Sequence, residues 1–250
     1  MWKVPGVAYL ATKLNMLSSY VPAPPREEGV KRRILLVHAH PVDESFSCSL
    51  AKAIEEGAAE GGHEFKKIDI YRSGFNPIMS AKDRKGYYDN VDFDASKEAA
   101  LTSDVRGAIA ALRWCDSVVF CYPTWWMNTP AAMKGFFDRT LIPGSTWTFP
   151  PKPEGSVSLV PGFMNSGATG LVPRLTNIKR VYGVSTYGAS QSIVTVAGDN
   201  GRNMICTAIR PLFARDCTCG WAGLYNMDFV SPEGKKEFLA NVKRIIRDEL

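Results

Sequence analysis

Short apolar runs alternate with segments of helical period along most of this chain. Arg33-Ile-Leu-Leu-Val-His38 is a continuous apolar run after basic residues, the pattern of a strand buried on both faces. From about Ser47 to Ala59, Leu50, Ile54 and Ala58 recur four apart. This spacing predicts a helix with one apolar face, stopped by Gly61-Gly62. Glu64 to Ile70 alternates and predicts a second strand. Residues 104–114 predict a helix and Ser117 to Tyr122 a third strand. Met133, Phe136, Phe137 and Leu141 form the face of the next helix, with Pro130 at its first position and Asn128 or Thr129 as cap. Val181 to Thr186 predicts a fourth strand, residues 200–212 a helix, and Cys217 to Leu224 a fifth strand. The last helix takes Ser231 as cap and Pro232 as first residue, with Phe238, Val242, Ile245 and Ile246 on one face.

Strands alternating with helices imply an α/β domain, a doubly wound five-stranded parallel sheet with helices on both faces. Tyr71 to Ser103 and Pro143 to Ser156 read as long irregular connections. No repeat or linker divides residues 34–250, which read as one domain.

Residues 1–33 differ. They hold six basic and two acidic residues, and no acid precedes Glu27. The whole chain carries +5, so the remaining 217 residues are close to neutral. A basic face for nucleic acid over the whole domain is therefore not expected. Residues 7–21 predict a short helix, too polar for a signal-peptide core. The extension reads as an arm packed on the body or on a partner subunit, with organellar targeting and membrane-surface contact as alternatives. No run of apolar residues is long enough to span a membrane, and a cytoplasmic location is expected. The six cysteines, Cys48, Cys115, Cys121, Cys206, Cys217 and Cys219, are scattered and read as reduced thiols rather than disulfides or metal ligands. Three histidines, His38, His40 and His63, assemble no zinc pattern, so no metal is expected.

In a parallel sheet, ligands bind at the carboxyl ends of the strands, beside the switch in strand order. Three loops fall there: 39–47, 123–129 and 186–192. The first is His40-Pro-Val-Asp-Glu-Ser-Phe-Ser47, between a strand and a helix start. Unpaired N–H groups and the helix dipole suit a phosphate there, with donors from His40, Ser45 and Ser47. Ordinary serine capping is the competing reading. The G-x-x-x-x-G-K-[ST] and G-x-G-x-x-G patterns are both absent. The second loop carries Trp125 and Trp126, which suit a flat aromatic partner such as an isoalloxazine ring, or else lie as a lid over the core. The third, Ser185 to Gln191, is rich in small residues that let backbone approach a ring closely.

Four segments together carry a resemblance: H-A-H-P-x-x-x-S-F-S, G-F-N-P-I-M-S-x-x-D-R, Y-P-T-W-W-x-x-x-P-A-A-M-K-G-F-F-D-R and P-G-x-x-W-x-F. Over about 34–225 the chain resembles the NAD(P)H:quinone oxidoreductases of flavodoxin-like fold. The resemblance implies a bound flavin, FAD with FMN as alternative, that takes hydride from NAD(P)H and passes it to a quinone or similar acceptor. It implies that His40, Ser45, Phe46 and Ser47 hold the flavin phosphates and ribityl chain. Pro123, Thr124, Trp125, Trp126 and Met127 would line the isoalloxazine, completed by Thr186, Tyr187 and Gly188. Trp147 and Phe149 fall where relatives line an acceptor pocket at a homodimer interface. The animal members carry a Tyr and a His downstream of the third loop, whereas Ala197 stands at the histidine's place here. Tyr187 is the candidate catalytic phenol in their stead, and nitroaromatic or azo acceptors stay open beside quinones. A flavoprotein regulatory subunit of an ion-efflux partner, docked through the basic arm, is the alternative function.

Overall fold

The computed structural model describes residues 30–88, 98–149 and 171–250. The helix expected over 7–21, most of the arm and part of the 143–156 loop lie outside these residues. Five strands form one parallel sheet: β1 (Arg33–His38), β2 (Glu64–Asp69), β3 (Ser117–Pro123), β4 (Arg180–Thr186) and β5 (Thr218–Leu224). Their order is β2-β1-β3-β4-β5, with every pairing parallel. The winding therefore reverses between β1 and β3. The strands β1 and β3 are apolar because helices cover both faces. Edge strand β2 stays partly exposed and keeps its charges.

On one face lie α1 (Phe46–Glu60) and, at the chain's end, α7 (Pro232–Asp248). Leu50, Ile54, Ala58, Val242, Ile245 and Ile246 close that core over Ile34, Leu36, Val119 and Val184. Gly57 lets them approach, since a Cβ there would stand 2.5 Å from the Lys243 carbonyl oxygen. The other face is covered by α3 (Ser103–Trp114) and α4 (Ala131–Thr140), with Ile109, Leu112, Met133 and Phe136 against Leu35, Val37 and Phe120. On adjacent β4 and β5, Tyr182 pairs with Gly220 and Gly183 with Trp221. Each glycine leaves room for the ring beside it. A Cβ at Gly183 would meet Trp221 at 2.0 Å, and one at Gly220 would meet Tyr182 at 2.1 Å.

The described part of the 71–103 stretch includes a short helix, α2 (Ala81–Lys85), started by a capping box between Ser80 and Asp83. Arg139 of α4 anchors this stretch. Its side chain is buried and donates to Asp83 (3.1 Å), Asp104 (2.7 Å), Thr102 (2.9 Å) and the Asn76 carbonyl.

Four expectations are corrected. Pro130 is itself the cap residue of α4, with no side-chain cap bond. Its missing N–H costs nothing at an end where donors are unpaired. The helix expected over 200–212 is broken into α6 (Asn200–Asn203), a π-helical turn (Met204–Ile209) and a 3-10 turn (Arg210–Leu212). It follows the short α5 (Gln191–Val196). Trp147–Thr148, expected within a loop, pairs antiparallel with Val172–Pro173. Cys206 and Cys219 are joined as a disulfide, with Cα atoms 5.9 Å apart, rather than reduced. The π turn swings Cys206 onto β5, an adjacency that thirteen residues of separation do not disclose. Cys48, Cys115, Cys121 and Cys217 are free thiols. Burial pushes the Cys115, Cys121 and Cys217 thiols up to about 12. Among the described residues, no helix is long and apolar enough to cross a membrane.

Candidate flavin site at the switch in strand order

The carboxyl edge of the sheet carries residues 39–45 after β1, 124–130 after β3 and 187–190 after β4. In such a sheet ligands bind beside the reversal, here between the first two loops.

In the first loop Ser45 caps α1, its Oγ accepting from Cys48 N–H at 3.1 Å. The N–H groups of Phe46 and Ser47 have no acceptor among the described residues. Two first-turn donors are thus unpaired at the positive end of a fifteen-residue helix. Arg72, beyond the edge strand β2, clamps this loop. It donates to the His40 carbonyl at 3.0 Å and to both oxygens of Asp69 at 3.2 Å, and pairs with Asp43. His40 accepts from Val42 N–H, and its ring lies 6.0 Å from that of Trp125. The first and second loops therefore meet through these two rings.

The second loop is a tight turn. Trp125 and Asn128 exchange two backbone hydrogen bonds of 3.1 Å. Between them Trp126 (φ 49) and Met127 (φ 56) are both left-handed. Two such residues in succession make the turn suited to glycine or asparagine. Holding a tryptophan there costs about 1–2 kcal/mol. Trp126 is also fully exposed, and Trp125 is exposed by 41%. A strained backbone that displays bare aromatic surface marks a binding feature rather than a core element. Asn200 braces it by donating to the Met127 carbonyl at 3.2 Å.

The third loop is joined to the second. Thr124 N–H donates to the Thr186 carbonyl at 2.8 Å, and the Thr124 and Ser185 hydroxyls stand 3.0 Å apart. Pro123 is buried beside Thr186 in the sheet register, and Gly188 is exposed. Tyr187 turns inward. Its ring stacks on Tyr225 at 4.4 Å, and its hydroxyl donates to Asp199 at 3.3 Å. Burial, with the Asp199 charge, raises the Tyr187 pKa. Burial also raises that of Asp199, against the pull of Arg202 and the tyrosine hydroxyl. The Tyr187 hydroxyl is therefore engaged by Asp199, with the Thr124 side chain of the second loop also in reach.

Trp147 and Phe149 are not part of this cluster. Trp147 is buried and its indole donates to the Leu141 carbonyl at 2.9 Å, while Phe149 packs edge-on against it, half exposed. They follow the C-terminal end of α4, about 15 Å from the second loop at 1.5 Å per residue over ten residues.

Asp69, Arg72, Asp199 and Asn200 join the site only in three dimensions, and His38 reads in the sequence as no more than a strand end. A histidine in a fully buried strand was the available signal, because its ring nitrogens require partners.

This arrangement, a doubly wound sheet with three loops at its switch point, has known relatives. Residues 32–205 match a family model described as flavodoxin-like fold, and the chain belongs to that family. It is 33% identical over 126 residues to NAD(P)H dehydrogenase [quinone] 1 of Rattus norvegicus, covering 47% of this chain and 46% of that protein. It is 29% identical over 178 residues to ribosyldihydronicotinamide dehydrogenase [quinone] of the same organism, covering 68% and 69%. The match thus spans less than half of the first relative. Among solved structures, an NAD(P)H:quinone oxidoreductase from Methanothermobacter marburgensis superposes with a TM-score of 0.63 at 20% identity, covering 87% of this chain and 96% of that one. An FMN-dependent NADH-azoreductase from Bacillus anthracis, in complex with FMN, superposes with a TM-score of 0.64 at 14% identity, covering 86% and 97%. At these identities the two structures share the fold with this chain.

Proposed function

We propose that the chain is a flavin-dependent NAD(P)H oxidoreductase that delivers hydride to a quinone or a similar electrophile. The observation that carries this reading is the left-handed Trp126-Met127 turn, which displays tryptophan surface on the same sheet edge as two unpaired N–H donors of α1. The residues fit a flavin on structural grounds. Trp125, Trp126 and Met127 offer a flat apolar wall, Thr186 and Gly188 an open rim, and Phe46 and Ser47 donors for phosphate oxygens. Ser45 contributes by holding that helix end, and His40 by joining it to Trp125. When bound, the flavin supplies the hydride chemistry itself, and the protein supplies orientation and electrostatics. No side chain among those three loops is needed to hold the transferred hydride.

The names of the curated relatives support NAD(P)H as donor and a quinone as acceptor. The Bacillus anthracis azoreductase, which holds FMN in the same fold, supports FMN beside FAD and azo compounds beside quinones. The resemblance to the quinone oxidoreductases supports a homodimer with Trp147 and Phe149 lining an acceptor pocket at its interface.

The deciding experiment purifies the chain and records its visible spectrum before and after NADH or NADPH. A yellow protein bleached by one of them and recoloured by a benzoquinone is expected. Chromatography of the flavin released on denaturation identifies FAD or FMN. A colourless protein that binds neither flavin on reconstitution refutes the proposal.

A further inference from the structure

Asp69, His38 and Ser47 form a hydrogen-bonded chain from β2, through β1, to the first turn of α1. The His38 ring is fully buried. Its Nδ1 lies 3.3 Å from Asp69 Oδ2 and its Nε2 3.2 Å from Ser47 Oγ. The direction of the chain follows from what each group can donate. A carboxylate accepts, so Nδ1 carries the hydrogen and donates to Asp69. In a neutral ring Nε2 is then bare, and the Ser47 hydroxyl donates to it. The hydroxyl hydrogen is then taken up by the His38 ring. A protonated ring reverses this. Nε2–H then donates to Ser47 Oγ, and the hydroxyl hydrogen is freed for another acceptor at the start of α1. Ser47 is a side-chain donor toward the first loop in only one of the two states of His38.

We propose that His38 is a positioning residue that, acting through Ser47, makes phosphate recognition at the first loop proton-linked. The proposal rests on the reading that this loop holds the phosphate of the flavin. The surroundings leave the ring as the moving part. Asp69 and Lys67 face it from β2, with Lys67 Nζ 3.8 Å from Asp69 Oδ2. Arg72 holds Asp69 from outside, and His40 approaches from the first loop. Cys121 sits beside it on β3, and its thiol stays protonated because burial pushes it up to about 12. Burial lowers the His38 pKa, against the hydrogen bond and charge of Asp69. The ring therefore gains its proton only below the ordinary histidine range, and there the Ser47 hydroxyl is freed. Phosphate binding strengthens with that proton, and bound phosphate in turn favours the protonated ring.

The test uses the flavin-free full chain and measures dissociation constants of FMN and riboflavin between pH 5 and pH 8 by flavin fluorescence. Riboflavin lacks the phosphate, so the FMN-to-riboflavin preference isolates its recognition. Dividing the preference of the wild type by that of Ser47→Ala removes the ionisation of FMN itself. This quotient is expected to be near one at pH 8 and to rise as pH falls, by up to about tenfold, the size of one hydrogen bond to a charged group. In His38→Leu the hydroxyl is freed at every pH, so the quotient is raised about tenfold and is flat. A residue that served packing alone would lower flavin affinity in that variant. A second measurement needs no variant: nitrogen NMR of wild-type His38 at pH 8 is expected to show the Nδ1–H tautomer. A pH-independent wild-type quotient, or the Nε2–H tautomer, overturns the proposal. Equal binding of FMN and riboflavin at all pH values refutes the phosphate reading itself and takes the proposal with it, whatever the tautomer.

Discussion

Arg139→Met removes the cation that ties the 71–103 stretch to α4 while keeping much of the side-chain volume. The guanidinium meets two carboxylates, Asp83 at 3.1 Å and Asp104 at 2.7 Å, together with Thr102 and the Asn76 carbonyl. Its own side chain is 3% exposed, and those of Asp83 and Asp104 are 19% and 16% exposed. The substitution therefore leaves two poorly solvated acids and a carbonyl without their shared donor. Removing one member of a buried pair costs about 3–5 kcal/mol. The acids keep some contact with water here, which places the expected loss at the lower end, about 3 kcal/mol. Burial raises the pKa of Asp104, but hydrogen bonds from Thr102, the Asn76 backbone, Arg139 and the Val105 backbone outweigh it and hold the carboxyl at about 2. With its folded value below its unfolded one, Asp104 stabilises the protein above about pH 4, and that contribution is lost as pH falls toward 2. Without Arg139 part of this depression disappears, so acid sensitivity decreases even as stability at pH 7 drops. Urea unfolding at pH 7 and pH 3 reads both quantities. A loss under about 1 kcal/mol at pH 7, or an equal loss at both pH values, refutes the reasoning.

Three further outcomes follow from other parts of the chain. Gly135→Ala places a Cβ 2.0 Å from the Pro77 carbonyl oxygen, on the helix that Arg139 shares. It is expected to lower the urea midpoint by the equivalent of about 1–3 kcal/mol, as overpacking does. An unchanged midpoint would show that α4 moves freely off the 71–88 segment. Trp126→Gly relieves a left-handed tryptophan that makes no buried contact, and is expected to stabilise the flavin-free protein by about 1 kcal/mol while weakening flavin binding. A lower melting temperature with unchanged flavin affinity would contradict both the strain and the role. Thiol titration in denaturant without reductant is expected to find four reactive cysteines, since Cys206 and Cys219 are paired. Six would show the pair to be reduced. Reductant is expected to cost about 3 kcal/mol of stability, from the short loop between Cys206 and Cys219, 13 residues apart, that the bridge closes.

The sequence determined the architecture because its evidence is local. An apolar run of strand length, or a four-residue apolar period, reports burial on one or two sides without reference to any partner. All five strands and the helices α1, α3, α4 and α7 lie within a few residues of where that periodicity puts them. The alternation of strand and helix then limits the sheet to a parallel one, whose strand ends carry the three loops. What depends on two distant segments was legible only in the tertiary structure. The π turn that brings Cys206 to Cys219 follows from packing on β5, not from a helical period. The left-handed Trp126-Met127 turn runs against the preferences of both residues. Tyr187 looked like a free phenol until Asp199 and Tyr225 were placed around it. His38 looked like the end of a strand until β2 supplied Asp69 and α1 supplied Ser47. Buried polar groups take partners wherever the fold brings them, and sequence distance carries no record of that choice.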